Sequence, residues 1–358
     1  MPSNRVETLH EPTSKARAWL RWYGTVPASL SYPETTLYEA VAATARRTPE
    51  ATAWDFMGTT ATYGQFLRSI DACAEGFAGL GIKAADRIVV AMPMSPQGVV
   101  GFYAANKLGA VPAFVHPLSS VPELEHYLDA TGARIVLTLD ALYDRFASVR
   151  PRAPLELLIL TRITDYLSPL KTFGFWLTKG RRIPKVPADR RVRWWKALMS
   201  GQNEAAPPAL TTADDPAGIL FSGGTTGTPK GIVLSNRNFI AEGMQVAAWG
   251  GIREGDSILA ILPLFHGFGL GVRVNAMFMI GGKSILVPVF SPEIAARLIR
   301  RKQPSLLVGV PSLYEALGRV ASLAKANLAC ERRSPAPTRY RGRPRSDLSS
   351  SSCGKPGR

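Results

Sequence analysis

Between residues 36 and 47, Leu37, Ala40, Val41 and Ala45 recur at helical spacing, and Thr48-Pro49 ends the run. Residues 51–63 read as a hairpin turning at Met57-Gly58, and 70–80 as a second amphipathic helix closed by Gly81. An alternation follows, with strands over 86–92, 110–115 and 133–138 separated by helices over 96–108 and 118–131. Further on, 239–249 reads as a helix with Ser235 or Asn236 near its cap. Residues 256–262 form a near-continuous apolar run, as a strand buried on both faces requires. Strands over 282–289 and 305–310, a helix over 291–301 and another opening at Pro311 complete the pattern. Short loops between alternating elements predict an α/β fold of layered, mainly parallel sheets flanked by helices.

The pattern divides the 358 residues into an N-terminal arm (1–35), a first α/β subdomain (36–164), a basic aromatic insertion and linker (165–213), a second α/β subdomain (214–330) and a tail (331–358). With 46% apolar and 20% charged residues the chain is globular. Its net charge of +16 suggests a nucleic-acid binder until the charge is located. Residues 171–196 hold nine Lys/Arg against Asp189, and 331–358 hold eight against Glu331 and Asp347, so these two pieces carry 14 of the 16 charges. The remaining body is nearly neutral, and no nucleic-acid partner is expected. Three cysteines (Cys73, Cys330, Cys353) at no metal-binding spacing fit a reduced, cytoplasmic chain. The N-terminus has no apolar signal-peptide core. The most apolar stretch, 258–282, is interrupted by His266, Arg273 and Asn275 and reads as buried core, not a membrane span.

Chemistry concentrates after the apolar Ile219-Leu220-Phe221, in Ser222-Gly223-Gly224-Thr225-Thr226-Gly227-Thr228-Pro229-Lys230-Gly231. Glycines let backbone N–H groups approach a polyphosphate, hydroxyls add donors, and Lys230 supplies a point charge. The string is not the common P-loop: Lys230 lies between Pro229 and Gly231, and Pro229 stops a helix from running straight off the loop. A Gly/Thr-rich surface hairpin is the plainer alternative.

This ordered string resembles the phosphate-binding signature of AMP-forming adenylating enzymes: acyl- and aryl-CoA ligases, luciferases and peptide-synthetase adenylation domains. Gly223 departs from it, standing where the family usually has Ser. Ala61-Thr62-Tyr63-Gly64-Gln65-Phe66 and the segment from Lys107-Leu108-Gly109-Ala110 to His116-Pro117 resemble two structural elements of the family. Pro263-Leu264-Phe265-His266-Gly267-Phe268-Gly269 resembles a segment whose histidine borders the acyl site. The likeness covers about residues 36–329 and is greatest to long-chain fatty acid–CoA ligases.

The resemblance implies that a carboxylate attacks ATP to give an acyl-adenylate and pyrophosphate, and that the CoA thiol then takes the acyl group. Ser222, Gly223, Gly224, Thr225, Thr226, Gly227 and Lys230 would hold the phosphates, with Lys230 and Thr226 as the catalytic pair and Thr226 assisting Mg²⁺. His266 would be a pocket or gating residue and not a general base. A fatty acid is the expected substrate, with an aryl or amino acid as alternative. Basic residues interleaved with Phe and Trp over 171–196 suit peripheral docking on an anionic membrane, at the inner face of a cytoplasmic protein's membrane. A solvated insertion whose aromatics pack back on the body is the other reading.

After Cys330 the composition turns to Arg, Pro, Ser and Gly, too polar to fold. A frameshift or premature end is expected there, because the family continues with a Tyr-Gly-x-Thr-Glu segment, a Thr-Gly-Asp segment and a C-terminal catalytic lysine. Their absence would leave an impaired ligase, or an inactive remnant that binds nucleotide or acyl chains.

Overall fold

The computed structural model describes residues 14–150, 152, 155–178, 180–201, 205–222 and 227–320. The first half runs through α1 (Leu37–Arg47), β1 (Thr52–Phe56), β2 (Thr59–Thr62), α2 (Tyr63–Gly79), β3 (Arg87–Ala91), α3 (Pro96–Lys107), β4 (Val111–Phe114), α4 (Val121–Thr131), β5 (Ile135–Leu139), α5 (Tyr143–Ala147) and β6 (Leu157–Thr161). α6 (Pro169–Thr178), β7 (Val192–Trp194) and α7 (Trp195–Ser200) cross the basic aromatic segment. The second half runs through β8 (Pro216–Phe221), β9 (Gly231–Ser235), α8 (Asn236–Gly250), β10 (Ser257–Ala260), a π-helix (Phe268–Asn275), α9 (Ala276–Ile280), β11 (Lys283–Leu286), α10 (Pro292–Lys302) and α11 (Pro311–Gly318).

The strands form a seven-stranded sheet, ordered β7-β6-β5-β3-β4-β8-β9, and a four-stranded sheet, ordered β10-β11-β1-β2. Pairing is parallel except at β8–β9 and β1–β2. The sheets do not follow chain order. β1 and β2 cross to pair beside β10 and β11, while β8 and β9 join the sheet of β3–β7. The divisions at 164/165 and 213/214 therefore mark chain order and not separate sheets.

Several helices begin where a hydroxyl and an acid or amide stand three residues apart. Thr36 with Glu39, Thr62 with Gln65 and Ser120 with Glu123 each form reciprocal capping boxes. The Thr62 box starts α2 at Tyr63, seven residues before the helix read from hydrophobic spacing, and the Ser120 box delays α4 to Val121. Residues 305–310 are not a strand; they make one isolated bridge, Leu306 to Ile258. Two of their carbonyls are taken by side chains: Leu307 accepts from the Tyr314 hydroxyl and Val308 from the Arg273 guanidinium.

The main core joins inner residues of both sheets, such as Val90 and Phe114 on one and Phe56 and Leu286 on the other, through α1, α2 and α3. α3 is buried along its whole length. Asn236, at the start of α8, locks chain-distant parts together. Its Oδ1 accepts from the Leu37 N–H at 3.0 Å and from Asn106 Nδ2 at 2.8 Å, while its Nδ2 donates to the Thr212 carbonyl at 3.0 Å. The Tyr63 hydroxyl donates to the Gly282 carbonyl at 2.7 Å, tying α2 to the smaller sheet. Buried Cys73 on α2 has its thiol pushed well up by desolvation; Cys330, Cys353 and the tail lie outside the described residues.

The basic aromatic segment splits in two. β7 edges the large sheet, Trp195 and Leu198 of α7 are buried in the main core, and Arg162 stacks over Trp194 at 4.1 Å. This part packs back on the body. α6 buries no residue.

Candidate active site

Because β4 and β8 are parallel neighbours, their C-terminal ends share one edge of the large sheet, where open α/β sheets bind ligands. His116 follows β4 and Ser222 follows β8. The segment after β10 reaches the same place: the Phe265 ring lies 4.6 Å from that of His116, and Leu220 approaches Gly267. Three strand ends thus converge on the chain's candidate chemistry.

The loop after β8 is closed as a hairpin between antiparallel strands, with Phe221 opposite Gly231. The Ser222 N–H donates to the Lys230 carbonyl at 3.0 Å. Both plain features of the sequence are realised together, a hairpin in geometry and an anion loop in composition. Helix α4 braces both limbs: His126 Nε2 lies 3.0 Å from the Pro229 carbonyl on the second, and the Tyr127 ring packs tilted against Phe221 on the first, centroids 4.4 Å apart. Lys230 and Gly227 are exposed, Gly227 faces open space, and no carboxylate pairs with Lys230 among the described residues. Gly223, Gly224, Thr225 and Thr226 lie outside the described residues.

His266 is exposed at the turn leaving β10, and its Nδ1 accepts the Phe268 N–H at 3.2 Å. That bond leaves Nε2 as the ring nitrogen with hydrogen-bonding capacity outward. Gly269 closes the turn: a Cβ there would lie 1.9 Å from the Pro263 carbonyl oxygen. The final glycine of the Pro-Leu-Phe-His-x-x-Gly segment is therefore a steric requirement. The π-helix begins at once, and such wide turns gather at functional sites.

Two ionisable groups meet at the π-helix, buried Arg273 within it and half-buried Glu242 beside it. Arg273 donates to the Leu259 carbonyl at 2.6 Å and to that of Val308, and desolvation lowers its pKa to about 10. Glu242 on α8 lies directly against Gly271, whose missing Cβ makes room for the carboxyl; burial pushes its pKa up to about 7. His116, His126 and Glu242 were not singled out from the sequence as site residues. His116 and His126 carried no motif distinct from their helix–loop–strand context, and Glu242 reads as an ordinary polar position of an amphipathic helix.

The loop's residue types suit a polyphosphate, one cation with hydroxyls and glycines, and of its described residues Gly227, Thr228 and Lys230 are exposed. Among the described residues no cluster of three or more His, Cys, Asp or Glu could hold a metal. Any Mg²⁺ would be shared with substrate phosphates, as this weakly dehydrating ion usually is.

A layered α/β protein with a Gly- and Thr-rich hairpin loop at converging strand ends has the architecture in which ligands bind at the strand edge. The family model described as AMP-binding enzyme matches residues 41–353, and the chain belongs to that family. A long-chain-fatty-acid–CoA ligase of Bacillus subtilis is 28% identical over 305 residues, 83% of this chain and 54% of that protein. One from Salmonella typhimurium is 29% identical over 318 residues, 84% and 55%. The chain thus spans about half the length of the curated relatives it matches. Among solved structures, a long-chain-fatty-acid-CoA ligase from Archaeoglobus fulgidus aligns with TM-score 0.70 and 23% identity over 84% of this chain and 56% of that one. ATP-bound MatB from Rhodopseudomonas palustris aligns with TM-score 0.67 and 21% identity over 81% and 52%. These likenesses establish the α/β fold expected from the sequence.

Proposed function

We propose that the chain takes part in activating a carboxylic acid with ATP, forming an acyl-adenylate and pyrophosphate, and in passing the acyl group to the thiol of CoA. The observation that carries this is the closed loop Ser222–Lys230 at the strand edge shared with His116 and the His266 turn. The carboxylate is itself the nucleophile, so catalysis is positioning and charge stabilisation. Lys230, the hydroxyls of Ser222, Thr225 and Thr226 and the backbone N–H groups of 223–227 hold the phosphates and offset the charge that grows on the departing pyrophosphate. Mg²⁺, when bound, would be held with the help of the Thr226 hydroxyl and would supply positive charge against the phosphates. His266 borders the acyl end as a pocket residue.

A fatty acid is the preferred substrate, because fatty-acid ligases of Bacillus subtilis and Salmonella typhimurium are among the relatives the chain resembles. An aryl acid is the second reading, favoured by a feruloyl-CoA synthase of an Amycolatopsis species, 26% identical over 273 residues. The test is acid-dependent exchange of labelled pyrophosphate into ATP, run with palmitate, ferulate and no acid. Exchange with palmitate above the other two supports the reading. Exchange with ferulate alone moves it to the aryl class, and none with any acid contradicts activity in this chain.

A further inference from the structure

Exposed large apolar residues scattered singly need no explanation, but α6 gathers them. Leu170 is 80% exposed, Phe173 58%, Trp176 52% and Leu177 44%. Leu170, Phe173 and Leu177 follow helical spacing on one outward stripe, and Phe173 stacks beside Trp176 with ring centroids 6.4 Å apart. Thr172 and Phe175, half-buried, face the body. The β1–β2 turn lies beside α6. Met57 and Gly58 both have positive φ, and the Lys171 ammonium donates to the Met57 carbonyl, anchoring the turn to α6 with Met57 45% exposed.

Charge surrounds this apolar face. Arg181 stacks over Trp176 at 4.8 Å, and Arg182 and Lys185 follow, all exposed. No carboxylate occurs between Asp165 and Asp189, and Asp189 is engaged by Arg191 at 2.8 Å and by the Tyr143 hydroxyl. Aromatics flanked by unopposed cations match an anionic lipid interface, where rings sit at headgroup depth and cations meet phosphates. A ten-residue helix, about 15 Å long, offers far less than the roughly 800 Å² per partner of a stable protein interface. A bilayer sets no such area requirement.

We infer that α6 and the β1–β2 turn form a docking face for an anionic membrane, with Phe173, Trp176 and Met57 entering the headgroup region and Arg181, Arg182 and Lys185 binding lipid phosphates. This goes beyond the ligase reading and does not depend on it. It also narrows the broad 171–196 segment: Trp194 and Trp195 face the body and take no part.

The test is co-sedimentation of the full chain with phosphatidylglycerol/phosphatidylcholine vesicles and with pure phosphatidylcholine vesicles, without ATP, acid or CoA. Wild type sediments with the anionic vesicles, less so as salt is raised, and little with the neutral ones. A Phe173→Ser/Trp176→Ser variant and an Arg181→Glu/Arg182→Glu variant each lose about tenfold or more in binding. Leu210→Ser, a change at a more exposed apolar residue elsewhere, binds as wild type. Absence of wild-type binding, binding as strong as wild type in either of the two variants, or equal loss in Leu210→Ser overturns the assignment; so does a wild-type dimer that the aromatic variant abolishes without any vesicle binding. Because no reactant enters this assay, its failure leaves the ligase reading standing, and failure of pyrophosphate exchange leaves the docking face standing.

Discussion

Ser222 and Lys230 face each other across the mouth of the loop, joined by the Ser222 N–H donating to the Lys230 carbonyl at 3.0 Å. The backbone closes the loop and leaves the Lys230 side chain exposed, with no carboxylate paired to it among the described residues. Replacing that side chain should therefore harm binding and not folding. Lys230→Ala is expected to keep the wild-type unfolding temperature and to lose about 10²-fold in pyrophosphate exchange, the scale of a transition-state charge donor. Parallel thermal melts and exchange rates check both halves.

Gly269 gives a sharper structural prediction. A methyl group there meets the backbone of Pro263 and cannot be relieved by a rotamer change. Gly269→Ala should cost about 2–4 kcal/mol, whereas Gly227→Ala, facing open space, should be near neutral in stability. Urea denaturation of the two variants decides it.

Asn236 serves the same end from inside the body, satisfying Leu37, Asn106 and Thr212 at once. Asn236→Ala should cost about 3 kcal/mol or more because it strands buried donors and acceptors. Tyr63→Phe, which removes the bond to the Gly282 carbonyl, should cost about 1–2 kcal/mol. Equilibrium denaturation of each variant provides the comparison.

Glu242 gives a pH dependence. Its folded pKa of about 7 lies above its ordinary value of 4.5. Between these values the folded state holds a proton that the unfolded chain has released, so stability falls as pH rises through that window. Glu242→Gln removes the effect. Its unfolding temperature should exceed that of wild type above pH 7, with the gap closing toward pH 4.5; a gap independent of pH would show that the carboxyl does not titrate there.

The fold class was legible because apolar runs and helical periodicities alternate with short loops, and most elements fall within a few residues of their predicted places. What could not be read locally was pairing between distant strands. Nothing near β1 announces that it will lie beside β11, nor near β8 that it will join β4. The π-helix was hidden because its wider turn breaks the 3.6-residue period. The start of α2 was written in Thr62 and Gln65, a cap that hydrophobic spacing does not detect. In the site, loop composition is what suggests the proposed anion chemistry. The bracing by His126 and the meeting of His116 with Phe265 are tertiary contacts that only the fold reveals.

The central claim is that the loop from Ser222 to Lys230 holds the phosphates of ATP. Equilibrium titration of ATP into the full chain, beside Lys230→Ala, tests it most directly. Saturable binding by wild type, weakened about tenfold or more by the substitution, is the predicted result. Equal affinity of the two proteins for ATP, or none in either, would contradict it.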